Sequence, residues 1–310
     1  MAGIWIYSED TIIAQQLITL GRDLAGQLQE KVCVLTIYEQ EVQSLIAAGA
    51  DKVIVLKGDN VWPESYAQAI AAQTTECQPT LLLVGGTLRG KDLAAKVAAR
   101  LQTGLITDAQ SVKVVGGLLE TERMIYGGLA VCTEVLNGMN VITIPARAYE
   151  VPVADVGRSG EVVTIEVKTE DVMAVGNVCP IVRQGVDITS AEKLVCVGRG
   201  IGKQEDMKLA EDLANAMGAE ICCTRSVAED YHWLPNEAYV GISGQKVKPV
   251  IYLSMGVSGQ VQHVAGIRDS KLIVAIDTNE NAPIFAAADY GIVGDLYQIV
   301  PLLTEAIKNK

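Results

Sequence analysis

Apolar residues in the first third of the chain follow two alternating rhythms. Ile4–Tyr7, Val32–Thr36, Val53–Leu56 and Leu81–Val84 are short apolar runs of strand length. Between them, Thr11–Gln29, Glu39–Ala48, Trp62–Glu76 and Leu88–Leu101 place their apolar residues at helical spacing. This alternation predicts a parallel sheet flanked by helices, joined by right-handed crossovers. From Val112 the runs shorten to Val112–Val115, Leu118–Met124, Ala130–Glu134 and Val141–Ile144, with turns at Gly116-Gly117 and Gly127-Gly128. They predict an antiparallel extension of the first sheet.

Tyr149–Ala191 is mixed, punctuated by Pro152, Gly157, Gly160 and Pro180, and reads as a connector whose extended stretch Val162–Val167 belongs to the first domain. The α/β rhythm restarts at Lys193–Val197. A helix from about Gln204 to Met217 stops at Gly218, strands follow at Val250–Met255 and Leu272–Ile276, and a last helix runs from about Gly294 to Lys308. The expected fold is α/β, with two Rossmann-like domains carrying parallel sheets, the first with the antiparallel extension. The boundary falls near residue 188, giving domains 1–187 and 188–310. No short repeat suggests a solenoid or propeller.

Composition narrows the classes. Aromatics are 5% with a single Phe285, so the cores are aliphatic, which suits helix-on-sheet layers and argues against a β-sandwich or jelly roll. The 25 Lys+Arg against 37 Asp+Glu leave a net charge of −12, which repels phosphate backbones and speaks against nucleic acid. The start has no basic n-region, and no apolar stretch reaches the roughly 18 residues of a membrane span. The seven cysteines are odd in number and sit mainly in apolar runs, so they read as buried thiols in a reducing, cytoplasmic setting.

Candidate chemistry gathers in the second half, just after strands, where open α/β sheets bind ligands. Gly198-Arg199-Gly200-Ile201-Gly202 could bring backbone N–H groups and one guanidinium to a pyrophosphate, or could be a plain strand-to-helix turn. Cys222-Cys223-Thr224-Arg225 invites a redox or metal reading, although adjacent cysteines without C-x-x-C or His partners suit packing better. Arg225 could stack on a planar ring or sit in a surface ion pair. Tyr239–Gln245 is a Gly- and Ser-rich break. In Gly256-Val257-Ser258-Gly259-Gln260-Val261-Gln262-His263, Ser258 is expected to cap a helix whose free N–H groups face the cleft, with His263 one turn in as a site residue. His232 reads as a loop residue. Asp277 and Asp295 could accept sugar hydroxyls, and Asp295 could equally cap a helix. These clusters supply anion binding, a stacking cation and an imidazole. They supply no nucleophile–base pair, metal quartet or G-x-S-x-G elbow, which suits a held cofactor better than hydrolysis.

The ordered motifs Val195–Gly200, Thr224-Arg225, Val240–Gly244, Gly256–His263, Ala282–Phe285 and Ala288–Gly291 resemble the α subunit of electron-transfer flavoproteins. Val84–Leu93 and Thr103–Asp108 are similar to that family's first domain, and the Ser-Gly-Gln-x-Gln-His form is similar to its bacterial Fix-type and carnitine-type branch. The resemblance implies FAD held by the second domain, with a first domain contacting a β subunit that completes the site. It implies cofactor contacts from Arg199, Thr224, Arg225, Val240, Gly241, Ile242, Ser243, Ser258, Gly259, Gln260, Val261, Gln262, His263, Asp277, Asp295 and Leu296. Arg225 would lie over the isoalloxazine, Ser243 near N5 and His263 near the pyrimidine-side carbonyl. Ile242 stands where the family commonly has a side-chain amide, and Asp277 where Asn is usual.

The function so implied is electron carriage between a flavin dehydrogenase of acyl-CoA dehydrogenase type and a quinone reductase or ferredoxin. The chain would be no enzyme by itself, and any NADH-oxidising, bifurcating activity would require the β subunit. A fixed cation, an imidazole and a helix N-terminus beside the flavin stabilise its reduced, negatively charged ring and raise its potential. The alternatives are an NAD(P)-dependent dehydrogenase, against which stands the missing G-x-G-x-x-G turn, and a nucleotide-binding module of similar fold.

Overall fold

The protein is described by a computed structural model that covers residues 3–126, 129–170, 176–177, 179 and 187–309. The expected Gly127-Gly128 turn and Pro180 lie outside the described residues. The chain divides into two compact units, the first holding Met1–Ile125 and Ala130–Val178, the second Tyr126–Leu129 and Cys179–Lys310.

In the first unit, strands β1 (Ile4–Tyr7), β2 (Val32–Thr36), β3 (Lys52–Lys57) and β4 (Leu81–Gly85) alternate with helices α1 (Thr11–Leu28), α2 (Val42–Ala47), α3 (Ala67–Cys77) and α4 (Leu88–Leu101). With β5 (Leu105–Ile106), β9 (Asn140–Ile144) and β10 (Glu161–Glu166) these strands form one parallel sheet in the order β10-β3-β2-β1-β4-β9-β5. The two-residue period of a strand sends Ile4 and Ile6 into the core under α1 and α2, and Trp5 and Tyr7 into the core under α3 and α4. Helix starts are fixed by side chains: Asp10 accepts from the N–H groups of Ile12 and Ile13 at α1, and Thr87 accepts from Gly90 N–H at α4.

The antiparallel strands β6 (Ser111–Val115), β7 (Leu118–Ile125) and β8 (Ala130–Val135) form a three-stranded sheet of their own. The run at Val141–Ile144 differs from its expected antiparallel place, since β9 pairs in parallel with β4. All five residues of β9 are buried, as a strand covered on both faces requires. The stretch at Val162–Val167 joins the first sheet as expected, with β10 lying parallel to β3.

The second unit carries a five-stranded parallel sheet, β12-β11-β13-β14-β15. Its elements are β11 (Lys193–Val197), α5 (Met207–Met217), β12 (Glu220–Cys223), β13 (Ile251–Met255), α6 (Val261–Ile267), β14 (Ile273–Asp277), α7 (Ile284–Ala287), β15 (Tyr290–Val293) and α8 (Leu296–Lys308). Gly218 ends α5 with φ of 62°, the left-handed C-cap that a Cβ would oppose. On β11, Val195 and Val197 face the core beneath α5 and α8, while Leu194 and Cys196 face the opposite core.

Candidate functional site

After β11 the chain crosses to β12 at one edge and returns through β13 on the other side, so the strand order reverses between β11 and β13. At such a reversal the loops leaving the carboxyl ends of neighbouring strands part and leave a crevice. Here the crevice is a cleft of about 460 Å³, a size typical of small-molecule sites. Its walls include Arg199 after β11, Thr224 and Arg225 after β12, and Ser258, Gly259, Gln260, Gln262 and His263 after β13. The Tyr239–Gln245 break supplies Val240, Gly241, Ile242 and Ser243. Ser226, Tyr239 and Val257 line it as well; they belong to the loop segments singled out in the sequence but were not among the expected cofactor contacts. Val261, Asp277, Asp295 and Leu296 are not on its wall.

Of the two readings of the glycines after β11, their hydrogen bonds favour the turn over the phosphate cradle. Gly198 N–H donates to Met255 O, Gly200 N–H to Gly256 O and Gly202 N–H to Tyr297 Oη, so none is left for a phosphate. A Cβ on Gly200 would lie 2.5 Å from Gly256 Cα, and Gly256 itself has φ of 62°. The glycines let the loops after β11 and β13 cross in contact, and that crossing carries Arg199 to the cleft.

The anion-binding potential lies instead after β13. Among the described residues, the backbone N–H groups of Ser258, Gly259, Gln260, Val261 and Gln262 donate to no protein acceptor. The expected cap is not formed: α6 begins at Val261, its N-cap is Gln260, and no side chain bonds the helix start. Gly259 makes the turn possible, with φ of 78° and Ile284 N only 2.3 Å from where a Cβ would sit.

Thr224 Oγ1 is buried and has no hydrogen-bond partner in the protein. A buried orphan hydroxyl costs about 1–3 kcal/mol unless a ligand or water answers it, and this one borders the cleft. Ser243 accepts a hydrogen bond from Tyr239 Oη at 2.8 Å, which leaves its own proton free to donate. Arg225 is largely exposed, with Nε 3.4 Å from a Glu229 carboxylate oxygen. The surface ion pair weighed for Arg225 is thus present, and the arginine still reaches the cleft wall. The i,i+4 spacing of Arg225 and Glu229 was a signal available in the sequence.

His263 is buried and both its ring nitrogens are engaged, Nδ1 with Val240 O at 3.0 Å and Nε2 with Tyr252 Oη at 2.8 Å. The ring borders the cleft, as expected of a residue near the pyrimidine-side carbonyl, with both nitrogens already engaged by the protein. Asp277 accepts from Asn279 N–H and Asp295 from Tyr297 N–H as the cap of α8, while Leu296 is buried in the core. Cys222 and Cys223 point to opposite faces of β12 and are both fully buried. No group of three or more His, Cys, Asp or Glu is arranged to hold a metal among the described residues.

The polar complement of the cleft fits a nucleotide-bearing cofactor, with unpaired N–H groups for phosphate, two guanidiniums and free hydroxyls. Comparisons with known proteins agree with that chemistry. Residues 187–268 match the electron transfer flavoprotein FAD-binding domain, and residues 9–170 match the electron transfer flavoprotein domain. Protein FixB of Escherichia coli O127:H6 is 39% identical over 98% of this chain and 97% of its own length. Protein FixB of Shigella dysenteriae serotype 1 and of Escherichia coli K12 (strain DH10B) are each 38% identical over the same shares. Among solved structures, a thiamin diphosphate-dependent enzyme from Mycobacterium smegmatis aligns with 96% of this chain at 13% identity and a TM-score of 0.24. This chain spans 63% of that enzyme, and no argument rests on the likeness. The domain matches and the full-length identity together place the chain in the electron-transfer flavoprotein α-subunit family, with an FAD-binding domain in its second half.

Proposed function

We propose that the cleft after β11, β12 and β13 is where this electron-transfer subunit binds FAD, and that it takes electrons from a docked flavin dehydrogenase of acyl-CoA dehydrogenase type. A quinone reductase or a ferredoxin is the proposed partner at the other end, in the cytoplasm. The observation that carries the reading is the run of unanswered backbone N–H groups at Ser258–Gln262 beside the orphaned Thr224 hydroxyl. Both describe a surface shaped for a polar ligand. Among the described residues no helix is long and apolar enough to cross a membrane.

FAD, when bound, supplies electron transfer through its isoalloxazine ring. The residues of this chain hold and tune it. The N–H groups after β13 and the Arg199 guanidinium bind phosphate charge. Arg225 offers a planar cation to the ring and opposes negative charge gained on reduction. Ser243, oriented by Tyr239, presents a hydroxyl proton to a ring acceptor. Asp277 and Asp295, beyond β14 and at the start of α8, are proposed to reach the nucleotide end. The family implies a β subunit, which completes the site, and any NADH-oxidising activity belongs to that complex rather than to this chain.

The test is the absorption spectrum of the purified complex with its β subunit. Flavin bands and about one FAD released per complex are expected. A colourless complex that cannot be reconstituted with FAD overturns the reading.

A further inference from the structure

Ser243 is exposed at the tip of a small closed loop, and its hydroxyl is held by a residue that is buried. Gly244 N–H donates to Gly241 O at 3.2 Å, which makes Ile242 and Ser243 the central pair of a β-turn. Gln245 N–H donates to Tyr239 O at 2.9 Å and closes the loop at its base. Tyr239 belongs to the core cluster beneath α5 and α8, is 6% exposed, and has its Oη 2.8 Å from Ser243 Oγ. Its ring lies against the backbone of the turn, since a Cβ on Gly244 would sit 2.3 Å from Cε2 and 2.5 Å from Cδ2. Gly244 therefore admits the ring, and the packed ring fixes where the phenol hydroxyl can be.

An exposed serine has all its staggered rotamers open to it. A bond to a buried phenol selects among them, so the cleft is offered a hydroxyl that is already in place before any ligand arrives. The direction of that bond then decides what the hydroxyl can do. With Tyr239 as the donor, one lone pair of Ser243 Oγ is used, and the oxygen keeps its own proton and a second lone pair. Those two exchange places when the hydroxyl rotates, and the Tyr239 bond stays whole. Ser243 can thus donate to an acceptor in the cleft, or accept from a donor at the same point. A serine that gave its proton to Tyr239 could only accept.

We infer that Tyr239 is a positioning residue that makes Ser243 a two-way hydrogen-bond partner for the ring nitrogen of the cofactor that gains a proton on reduction. The inference rests on the flavin reading above and deepens it. That nitrogen accepts from Ser243 before reduction and donates to it afterwards, and no backbone movement is needed to keep it satisfied. Gly244 serves the same end by leaving room for the Tyr239 ring.

The test uses the complex with the β subunit, loaded with FAD that carries ¹⁵N at that nitrogen, in its oxidised and its two-electron-reduced forms. Tyr239→Phe keeps the packed ring and removes only the hydroxyl. The nitrogen signal should move in both forms toward its position in Ser243→Ala, and FAD affinity should fall about three- to tenfold. In a Ser243→Ala background, Tyr239→Phe should change neither reading, whereas a merely structural contribution would persist there. Parental signals in a folded, FAD-loaded Tyr239→Phe complex overturn the inference, as does a shift confined to one redox form or an undiminished effect in the Ser243→Ala background. If Tyr239→Phe fails to fold, Tyr239→3-fluorotyrosine decides, because it keeps the hydroxyl and makes it a stronger donor. It should move the oxidised signal away from the Ser243→Ala position, through the strengthened chain of hydrogen bonds, and an unmoved signal overturns the inference. A complex that holds no FAD strikes the flavin reading and this inference together, while an FAD-loaded complex with unmoved signals strikes this inference alone.

Discussion

Arg225 and Glu229 form an ion pair along one short helical segment, Nε to carboxylate oxygen 3.4 Å, while the same arginine borders the cleft. An exposed pair of this spacing contributes about 0.5 kcal/mol or less. A planar anionic ring held in the cleft can therefore draw the guanidinium away at little cost. Glu229 becomes a competitor that offsets part of the positive charge offered to the flavin.

Arg225→Ala is expected to lower the flavin potential, and Glu229→Gln to raise it, with both complexes folded and flavin-loaded. A tenfold change in a one-electron equilibrium corresponds to about 59 mV. Lysine at position 225 should restore part of the effect, since it supplies the charge without the plane. Redox titrations of the three variants indistinguishable from the parent would assign Arg225 to the surface pair alone.

The Thr224 hydroxyl makes a prediction in two opposite directions. Buried without a partner, it destabilises the flavin-free protein, so Thr224→Val should leave thermal stability equal or slightly higher. If the hydroxyl bonds the cofactor, the same change should weaken FAD binding by about tenfold, a typical single hydrogen bond. Calorimetric melting of the FAD-free complex and fluorescence titration with FAD measure the two sides. Unchanged affinity would mean that the hydroxyl does not reach the ligand.

Much of the cleft was legible in the sequence because loops after successive strands must gather at one end of a parallel sheet. Arg199, Thr224, Arg225, Ser243 and the Ser258–Gln262 turn could be read that way. What could not be read depends on pairings between elements. Nothing local says that Gly200 must cross Gly256, that Tyr252 reaches His263, or that β9 lies parallel to β4 and not antiparallel. Strand β15 escaped because it is an edge strand of only four residues, Tyr290–Val293, interrupted by Gly291 and too short to show a period. The helix after β13 was placed too early because Ser258 is a good cap by type, whereas the left-handed turn at Gly259 delays the helix to Val261.

The crossing of the two glycine loops predicts a stability effect with a steric cause. In Gly200→Ala the new methyl group would lie 2.5 Å from Gly256 Cα, a backbone atom that cannot rotate aside. Separating the loops should cost about 1–3 kcal/mol and carry Arg199 off the cleft wall, so urea stability and FAD affinity should fall together. Gly202→Ala is the control, since the nearest atom to its added carbon is the Tyr297 hydroxyl at 3.5 Å, an ordinary contact. Equal behaviour of the two variants would show that the loops are not packed as described.

The cysteines set the behaviour at alkaline pH. Burial pushes the Cys33 thiol up to about 12 and raises Cys222 and Cys223 as well, so these three stay thiols in the native protein at pH 8. The unfolded chain ionises its thiols near 8.5 to 9, and these buried groups therefore favour the folded state fully below that range. As pH rises above about 9, the unfolded state gains ionised thiols that the folded state lacks, and each such group removes about 1.4 kcal/mol of stability per pH unit until its folded value is reached. Urea midpoints should thus fall from pH 9 to 11. In the native protein at pH 8, iodoacetamide should modify the exposed Cys179 well before Cys33, Cys222 or Cys223. Since Cys222 and Cys223 pack on opposite faces of β12, replacing both with Ala should flatten part of the alkaline slope and lower stability at pH 7 without abolishing electron transfer to an artificial acceptor. Loss of transfer in a folded, FAD-loaded double variant would show that one of these thiols takes part in the chemistry.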